Sequence, residues 1–284
     1  MTIKQIYNKV TEILKDTYKN EAPLIAKFLI IDTLNLENIT KFILKYNEPL
    51  PEIIIKRVNN RVKKLLKHYP LQYVTHKCYF NDLTLYIGMN VFIPRPETEE
   101  LACISLKKIR NTYNDSKINI IDICTGSGCI AIYLKKNLKN SIVYAIDNNP
   151  FAIKIAMCNA KALNTNIIFY IDDILNPQKN YPDFEIIISN PPYVLNSEKK
   201  FTSKNIKYED SKAIFVPDDN PLLFYKSICS FSINHLKKNG IIFLELNSNI
   251  AYNIKNLFEL KNFSCQLLKD FKGNLRFLIA QKNF

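Results

Sequence analysis

The sequence predicts an α/β protein: a mostly parallel sheet with helices on both faces, closed by an antiparallel hairpin and preceded by a small helical bundle. Three observations carry this. From Ile118 onward, short apolar segments rich in β-branched residues alternate with helical stretches, the pattern of parallel strands joined by crossover helices. Near the C-terminus, two strand-like segments are separated only by Lys272-Gly273-Asn274. That joint is too short for a crossover helix, so the two form an antiparallel hairpin at the sheet edge. Residues 1–75 show helical spacing and no strand alternation.

In those first residues Ile3, Ile6, Tyr7, Val10, Ile13, Leu14 and Tyr18 recur at helical spacing. Ala22–Leu34 reads as a second helix with Pro23 in its first turn, where a missing N–H does no harm. Leu36–Tyr46 reads as a third. Glu52–Tyr69 reads as a longer one, with Ile54, Val58, Val62, Leu65 and Leu66 on its apolar face and Pro70 ending it. Most of these stripes are core. Residues 76–96 change character: CYFNDLTLYIGMNVFIP alternates, with a turn signal at Asn81-Asp82, and predicts a β-hairpin linking two domains. A helix starts at Glu97 and the second domain runs over 97–284. Its strands are INIIDIC, SIVYAID, IIFYI, FEIIIS and GIIFLEL, then the segments around Cys265–Leu268 and Leu275–Ile279. Its helices are expected at Ile130–Leu138, Pro150–Leu163, Pro221–Leu236 and Ile250–Leu260. There is no internal repeat and no low-complexity segment.

A chain of 284 residues, 47% hydrophobic and 12% aromatic, is long enough for one large domain and one small one. No run of about eighteen uncharged apolar residues predicts a membrane span, and the opening MTIKQIYNKV lacks the apolar core of a signal peptide. The seven cysteines are scattered without a C-x-x-C pair, and His68, His76 and His235 are isolated. A reduced, cytoplasmic, metal-free protein is expected. The net charge of +13 would suit an acidic partner such as nucleic acid. The lysines are spread along the chain rather than clustered, however, so the charge does not decide function.

The chemistry is concentrated in the loops after the strands. Asn190-Pro191-Pro192-Tyr193 follows the buried strand FEIIIS, and so sits where open α/β sheets bind ligands. An Asn side chain offers one acceptor and two donors. Two prolines remove two backbone donors and fix the chain's direction. The Asn oxygen and a proline carbonyl can each accept one N–H of a planar NH2 group, with Tyr193 stacked on it. The first strand ends in Asp122-Ile123-Cys124-Thr125-Gly126-Ser127-Gly128. Its glycines permit a tight turn close to a ligand, and Thr125 or Ser127 can supply hydroxyls. This turn alone fits either a cofactor loop or an ordinary strand-to-helix junction. Asp147 ends the second strand, 19 residues past Gly128, where dinucleotide-binding proteins place a ribose acid. It could equally belong to the cap of the helix that follows. Asp173 and Ile174, after the third strand, could meet an adenine as acceptor and as packing surface; by themselves they read as a solvated turn. The G-x-G-x-x-G pattern is incomplete, which disfavours a full dinucleotide.

Taken together, these motifs resemble the bacterial release-factor glutamine methyltransferases, the HemK/PrmC family. The resemblance spans essentially the whole chain. It rests on Pro70-Leu71-Gln72-Tyr73, on Ile93-Pro94-Arg95-Pro96-Glu97-Thr98-Glu99, on Asp122 to Gly128 and on Ser189 to Tyr193. Tyr208-Glu209, Asp218 to Tyr225 and Lys272 to Phe277 extend it. NPPY alone is shared with enzymes that methylate adenine amino groups; NPPY with IPRPETE and PLQY is much narrower. The resemblance implies a seven-stranded Rossmann-like methyltransferase fold and S-adenosylmethionine as cofactor. It implies methylation of the side-chain amide nitrogen of the glutamine in the Gly-Gly-Gln motif of peptide chain release factors. By position, Cys124, Thr125, Gly126, Ser127 and Gly128 would line the methionine part of the cofactor. Asp147 would hold the ribose, and Asp173 and Ile174 would meet the adenine. Asn190 would touch cofactor and substrate, Pro191, Pro192 and Tyr193 would complete the glutamine pocket, and Arg95 and Glu97 would close its wall. The helical bundle, residues 1–75, would grip the release factor. A monomer needing no nucleic acid is expected. An adenine-N6 methyltransferase acting on DNA or RNA, or a silent release-factor or ribosome adaptor, is the alternative.

The chain departs from the family mostly at glycines. Cys124 stands where the family usually has Gly, His76 replaces a linker Gly, Asp172 replaces the Gly before the adenine acid, and Asn220-Pro221 replaces a Gly-containing turn. If position 124 needs a positive φ, a side chain there costs roughly 1–2 kcal/mol.

Overall fold

The computed structural model describes residues 1–114, 116–202 and 205–283. The chain divides into two compact units, one of Met1–Lys77 with a short stretch ending at Tyr208, the other holding the rest from Cys78 on. The first unit is helical: α1 (Ile3–Tyr18), α2 (Ala22–Thr33), α3 (Ile39–Leu44), α4 (Glu52–Leu66) and α5 (Leu71–Thr75). A capping box starts α1, the Thr2 side chain accepting from the Gln5 N–H and the Gln5 side chain accepting from the Thr2 N–H. Ile3, Ile6, Val10 and Leu14 form its buried stripe and meet Ala26, Leu29, Ile30, Phe42, Val58, Val62 and Leu65. The third helix is shorter than its apolar spacing suggests, because Asn38 caps it by accepting from the Lys41 N–H and so fixes its start. The longer helix ends at Leu66, which is exposed rather than part of the buried face. The short α5 is not expected from the sequence: Pro70 opens it as well as ending what precedes.

In the second unit the hairpin β1 (Lys77–Phe80) and β2 (Leu83–Tyr86) turns at Asn81-Asp82. It sinks Phe80, Leu83 and Leu85 into the same core as Leu101 and Ile130, so these strands are part of that unit's packing. Next come α6 (Pro96–Tyr113), β3 (Asn119–Ile123), α7 (Cys129–Asn137), β4 (Ile142–Asp147), α8 (Pro150–Ala162), β5 (Ile167–Ile171) and β6 (Phe184–Ser189). After them lie the two-residue strands β7 (Val194–Leu195) and β8 (Phe215–Val216), which pair in parallel with each other. The unit closes with α9 (Leu223–His235), β9 (Leu236–Glu245), α10 (Ala251–Glu259), β10 (Phe263–Lys269) and β11 (Leu275–Lys282). Among the described residues no helix is long and apolar enough to cross a membrane.

The seven-stranded sheet has the order β10-β11-β9-β6-β3-β4-β5. The strands from β9 to β5 run parallel, and β11 runs antiparallel to both β9 and β10. The expected edge hairpin is there. Side chains alternate between the faces, as a pleated strand requires. Ile120, Ile186, Ile188, Ile241 and Phe243 enter one core with α6 and α7. Ile121, Ile187, Ile242 and Leu244 enter the other with α9 and α10.

The chain runs β3, β4, β5 outward in one direction and then crosses back to place β6 on the other side of β3. That makes the gap between the ends of β3 and β6 the topological switch point, where such sheets open a crevice. Ser189, the last residue of β6, closes the floor of that gap: its buried Oγ donates to the Ile123 carbonyl at 2.6 Å. Removing this bond with Ser189→Ala is expected to lower the unfolding free energy by about 1 kcal/mol in urea titration, with no change of fold by circular dichroism.

Candidate active site

The sheet order places the four loops side by side along its carboxyl edge. The loop at Asn190 follows β6, the glycine turn follows β3, Asp147 ends β4 and Asp173 follows β5, with neighbouring strands about 4.8 Å apart.

In the glycine turn, Gly126 and Gly128 both have positive φ, 56° and 82°, for different reasons. A Cβ on Gly126 would meet nothing within 4 Å, so its face is open to a ligand; a Cβ on Gly128 would come within 3.0 Å of Ala156 Cβ on α8. The first glycine admits a bound group and the second lets two helices approach. The turn is held from below by Asp122, which is fully buried. Its Oδ2 accepts from Thr125 Oγ1 at 2.6 Å and from the Ala131 N–H at 3.1 Å. Burial pushes its carboxyl up to about 7. Thr125, expected to offer a hydroxyl to a cofactor, directs it inward instead. Ser127 is also buried, so this turn presents backbone rather than hydroxyls. From the other side Asn159 accepts from the Tyr86 N–H at 2.7 Å and donates to the Ser127 carbonyl at 3.0 Å, tying the turn to β2 through α8.

Asp147 secures the glycine turn and braces the residue that caps α8. Oδ2 accepts from the Gly126 N–H at 2.8 Å and Oδ1 from the Asn149 N–H at 2.9 Å. Asn149 in turn caps α8 by accepting from the Phe151 and Ala152 N–H groups. Burial raises the Asp147 carboxyl above its ordinary range. Each carboxylate oxygen keeps a further lone pair for a hydroxyl donor. Beside it opens a cleft of about 700 Å³ lined by Asn148, Phe151, Ile171, Asp173, Asp210 and Lys212, among others. Asp173 faces this cleft. Ile174 is 4% exposed and packs into the core, so only its edge is left for a ring. Asp172 does not imitate a flexible glycine: it accepts from the Gln178 and Lys179 N–H groups and the Tyr181 hydroxyl. Burial alone would raise its carboxyl, but these donors outweigh burial and hold it below the usual range.

At the switch point Asn190 Nδ2 donates to Thr98 Oγ1 at 2.9 Å, and Thr98 Oγ1 donates to Glu245 Oε2 at 2.7 Å. The Tyr193 hydroxyl donates to the other oxygen of Glu245 at 2.9 Å. Burial pushes the Glu245 carboxyl up to about 7 and raises the Tyr193 hydroxyl well above its ordinary value. Among the described residues no donor reaches Asn190 Oδ1 or the Pro191 carbonyl. Arg276 lies 5.9 Å from the Tyr193 ring centre. Arg95 and Glu97, expected at the pocket wall, are engaged in ion pairs. Arg95 reaches Glu209 at 2.6 Å, and the same Glu209 accepts from the Ile93 N–H. Glu97 meets Lys272 of the β10–β11 turn at 2.6 Å.

Two family models match the chain: the PrmC N-terminal domain over residues 5–75 and the Methyltransferase small domain over residues 104–211. A release factor glutamine methyltransferase of Flavobacterium psychrophilum is 34% identical over 280 residues, 98% of either chain. One from Thermodesulfovibrio yellowstonii is 35% identical over 291 residues, 99% of this chain and 97% of that one. The chain belongs to the release factor glutamine methyltransferase family. A methyltransferase structure from Pyrococcus furiosus, 18% identical with a TM-score of 0.52, covers 80% of this chain and 100% of that one; it shares the fold.

Reading the motifs missed Thr98 and Glu245, which bond to Asn190 and Tyr193 at the switch point. Thr98 lies inside the IPRPETE segment, where Arg95 and Glu97 drew attention as charges. Glu245 closes an otherwise apolar strand. A carboxylate at the carboxyl end of a buried strand was the available signal. Cys124 has a φ of 60°, so the position is left-handed and the side chain is strained there. Cys124→Gly relieves that strain but loses sulfur packing, and is expected to change stability by less than about 1 kcal/mol. Cys124→Val, β-branched in the left-handed region, is expected to cost about 2 kcal/mol or more. Thermal and urea unfolding of the two variants check the difference.

Proposed function

We propose that this chain transfers the methyl group of S-adenosylmethionine to the side-chain amide nitrogen of the glutamine in the Gly-Gly-Gln motif of peptide chain release factors. It would act as a monomer in the cytoplasm with no nucleic acid required. Beside the family membership, the observation that carries this reading is Asn190, in the loop after β6 beside the glycine turn, whose Nδ2 is taken up by Thr98 while no donor among the described residues meets its Oδ1.

The residues present fit the cofactor. The open face of Gly126 leaves room for it along Cys124 to Gly128, Asp147 offers free lone pairs to ribose hydroxyls, and Asp173 borders the adjoining cleft. When bound, S-adenosylmethionine supplies an electrophilic sulfonium methyl, which passes to nitrogen as the carbon–sulfur bond breaks and one N–H proton is lost.

The chain's own task is set by the weakness of an amide nucleophile, whose lone pair is delocalised into the carbonyl. Asn190 and Pro191 would each accept one N–H of the glutamine, which fixes the NH2 plane and turns its face toward the methyl. Tyr193 would pack on the flat amide. Orientation of this kind is worth effective molarities of about 10⁵ M or more. The two acceptors also stabilise positive charge developing on nitrogen. No strong base is required at the motif, since the proton becomes acidic once nitrogen carries the methyl.

Adenine also carries an exocyclic NH2, and NPPY would grip it equally well, so the substrate must be decided directly. Incubating the protein with labelled S-adenosylmethionine, release factor and nucleic acid side by side is expected to place the label on a release-factor glutamine; label on nucleic acid would overturn the reading. Asn190→Ala is expected to lower kcat by about 10²–10³-fold with the fold preserved by circular dichroism. Near wild-type turnover in that variant would refute the clamp.

The helical unit would supply affinity for the release factor body, because a pocket for one glutamine cannot select a protein. Its α3 leaves Ile43 and Leu44 exposed. Leu44→Asp is expected to raise KM for whole release factor and leave KM for a short Gly-Gly-Gln peptide unchanged in steady-state assays.

A further inference from the structure

We propose that Thr98 and Glu245 are positioning residues whose hydrogen-bond polarity dictates which end of the Asn190 amide meets the substrate nitrogen. This rests on the reading of Asn190 as the clamp.

An amide side chain has two ends of nearly equal size and opposite character, one acceptor and one donor. Only the oxygen can accept from the NH2 of a substrate; the nitrogen would oppose it donor to donor. Something must therefore choose between two orientations that packing alone does not separate. The choice begins at Glu245. An ionised carboxylate can only accept, so the Thr98 hydroxyl must aim its hydrogen at Glu245 Oε2, 2.7 Å away. Thr98 Oγ1 is then left as an acceptor toward Asn190, and the amide answers with Nδ2 at 2.9 Å. Oδ1 is thereby turned to the crevice. The same carboxylate takes the Tyr193 hydroxyl on its other oxygen, so one group sets two members of the motif.

Protonation of Glu245 at Oε2 reverses the sequence. The carboxyl would donate to Thr98, the threonine hydrogen would turn toward Asn190, and the amide would be satisfied with its oxygen inward and its NH2 outward. The charged and titratable neighbours of Glu245 are Arg276 from β11, Glu97 from the start of α6, Tyr193 beyond β6 and Tyr225 from α9, whose hydroxyl donates to the Glu245 backbone carbonyl. Arg276 favours the ionised form and Glu97 opposes it; burial, the largest influence, leaves the carboxyl at about 7.

Activity and stability then respond to pH in opposite senses. Because the folded carboxyl sits above its ordinary value, its contribution to stability is full at low pH and is lost as pH rises through about 7. The ionised, correctly polarised state gains over the same range, so kcat rises as stability falls.

The test uses the full chain and three variants. Thr98→Val keeps the shape and removes the relay, Thr98→Ser restores it, and Glu245→Gln keeps the size and removes the titration. Thr98→Val is expected to lower kcat by up to about 10²-fold, and Thr98→Ser to recover most of it. In ¹⁵N spectra the Asn190 side-chain NH2 should exchange slowly in wild type and in Thr98→Ser and rapidly in Thr98→Val. The rise of kcat through about pH 7 should be absent in Glu245→Gln. If that variant does not fold, the two Thr98 variants decide. Persistent protection of the Asn190 amide in Thr98→Val, or an undiminished kcat, would overturn the proposal. Protection lost in Thr98→Val, in a chain whose wild type labels no release factor, would uphold the positioning role and refute the substrate assignment.

Discussion

A carboxylate with almost no access to water, at the end of the strand between β6 and the antiparallel edge, is the constraint around which this molecule's chemistry is arranged. Burying Glu245 is unfavourable unless its lone pairs are met. The partners that meet them come from the opening turn of α6 and from the loop after β6. Neither segment is part of the sheet, and both are recruited to the crevice by the need to satisfy that group. The IPRPETE segment is drawn tight in the same way. Arg95 is held by Glu209 and Glu97 by Lys272, so Thr98 reaches the network from a backbone anchored on either side.

The glycine-turn half of the crevice follows the same principle with different acids. Asp122 organises the underside of the glycine turn and Asp147 its upper rim, and both do so largely by accepting backbone N–H groups. Asn159 ties the turn to β2 and α8. A site built this way presents main chain and fixed dipoles to its ligand, which costs little reorganisation when charge shifts during reaction.

Much of this was legible in the sequence because it was written in periodicity and punctuation. The alternation from Ile118 fixed the strands, Lys272-Gly273-Asn274 required a hairpin, and the loops after each strand carried the motifs. Helix limits were less legible. Apolar spacing runs on through Leu36 and Tyr46, whereas the side chain of Asn38 decides where α3 begins; and Pro70, read as a stop, also opens α5. The carbonyl-and-amide character of NPPY could be argued from residue types alone. The partner that turns Asn190 could not, since Thr98 and Glu245 are 147 residues apart in the chain and meet only through the sheet order. Arg95 and Glu97 are conspicuous in the sequence, but their ion-pair partners, Glu209 and Lys272, are set by the fold and were not legible there.

The chain's scarcity of glycine has a thermodynamic side. Seven asparagines, including Asn35, Asn81 and Asn164, take the left-handed turn positions among the described residues, against three glycines, Gly126, Gly128 and Gly273. Asparagine tolerates that region through local hydrogen bonding and roams less widely than glycine when the chain is denatured. An asparagine at such a position has less disorder to lose from the random state than a glycine would. Some of this enzyme's cohesion therefore resides in what its unfolded form is prevented from exploring, and contacts in the native fold understate it.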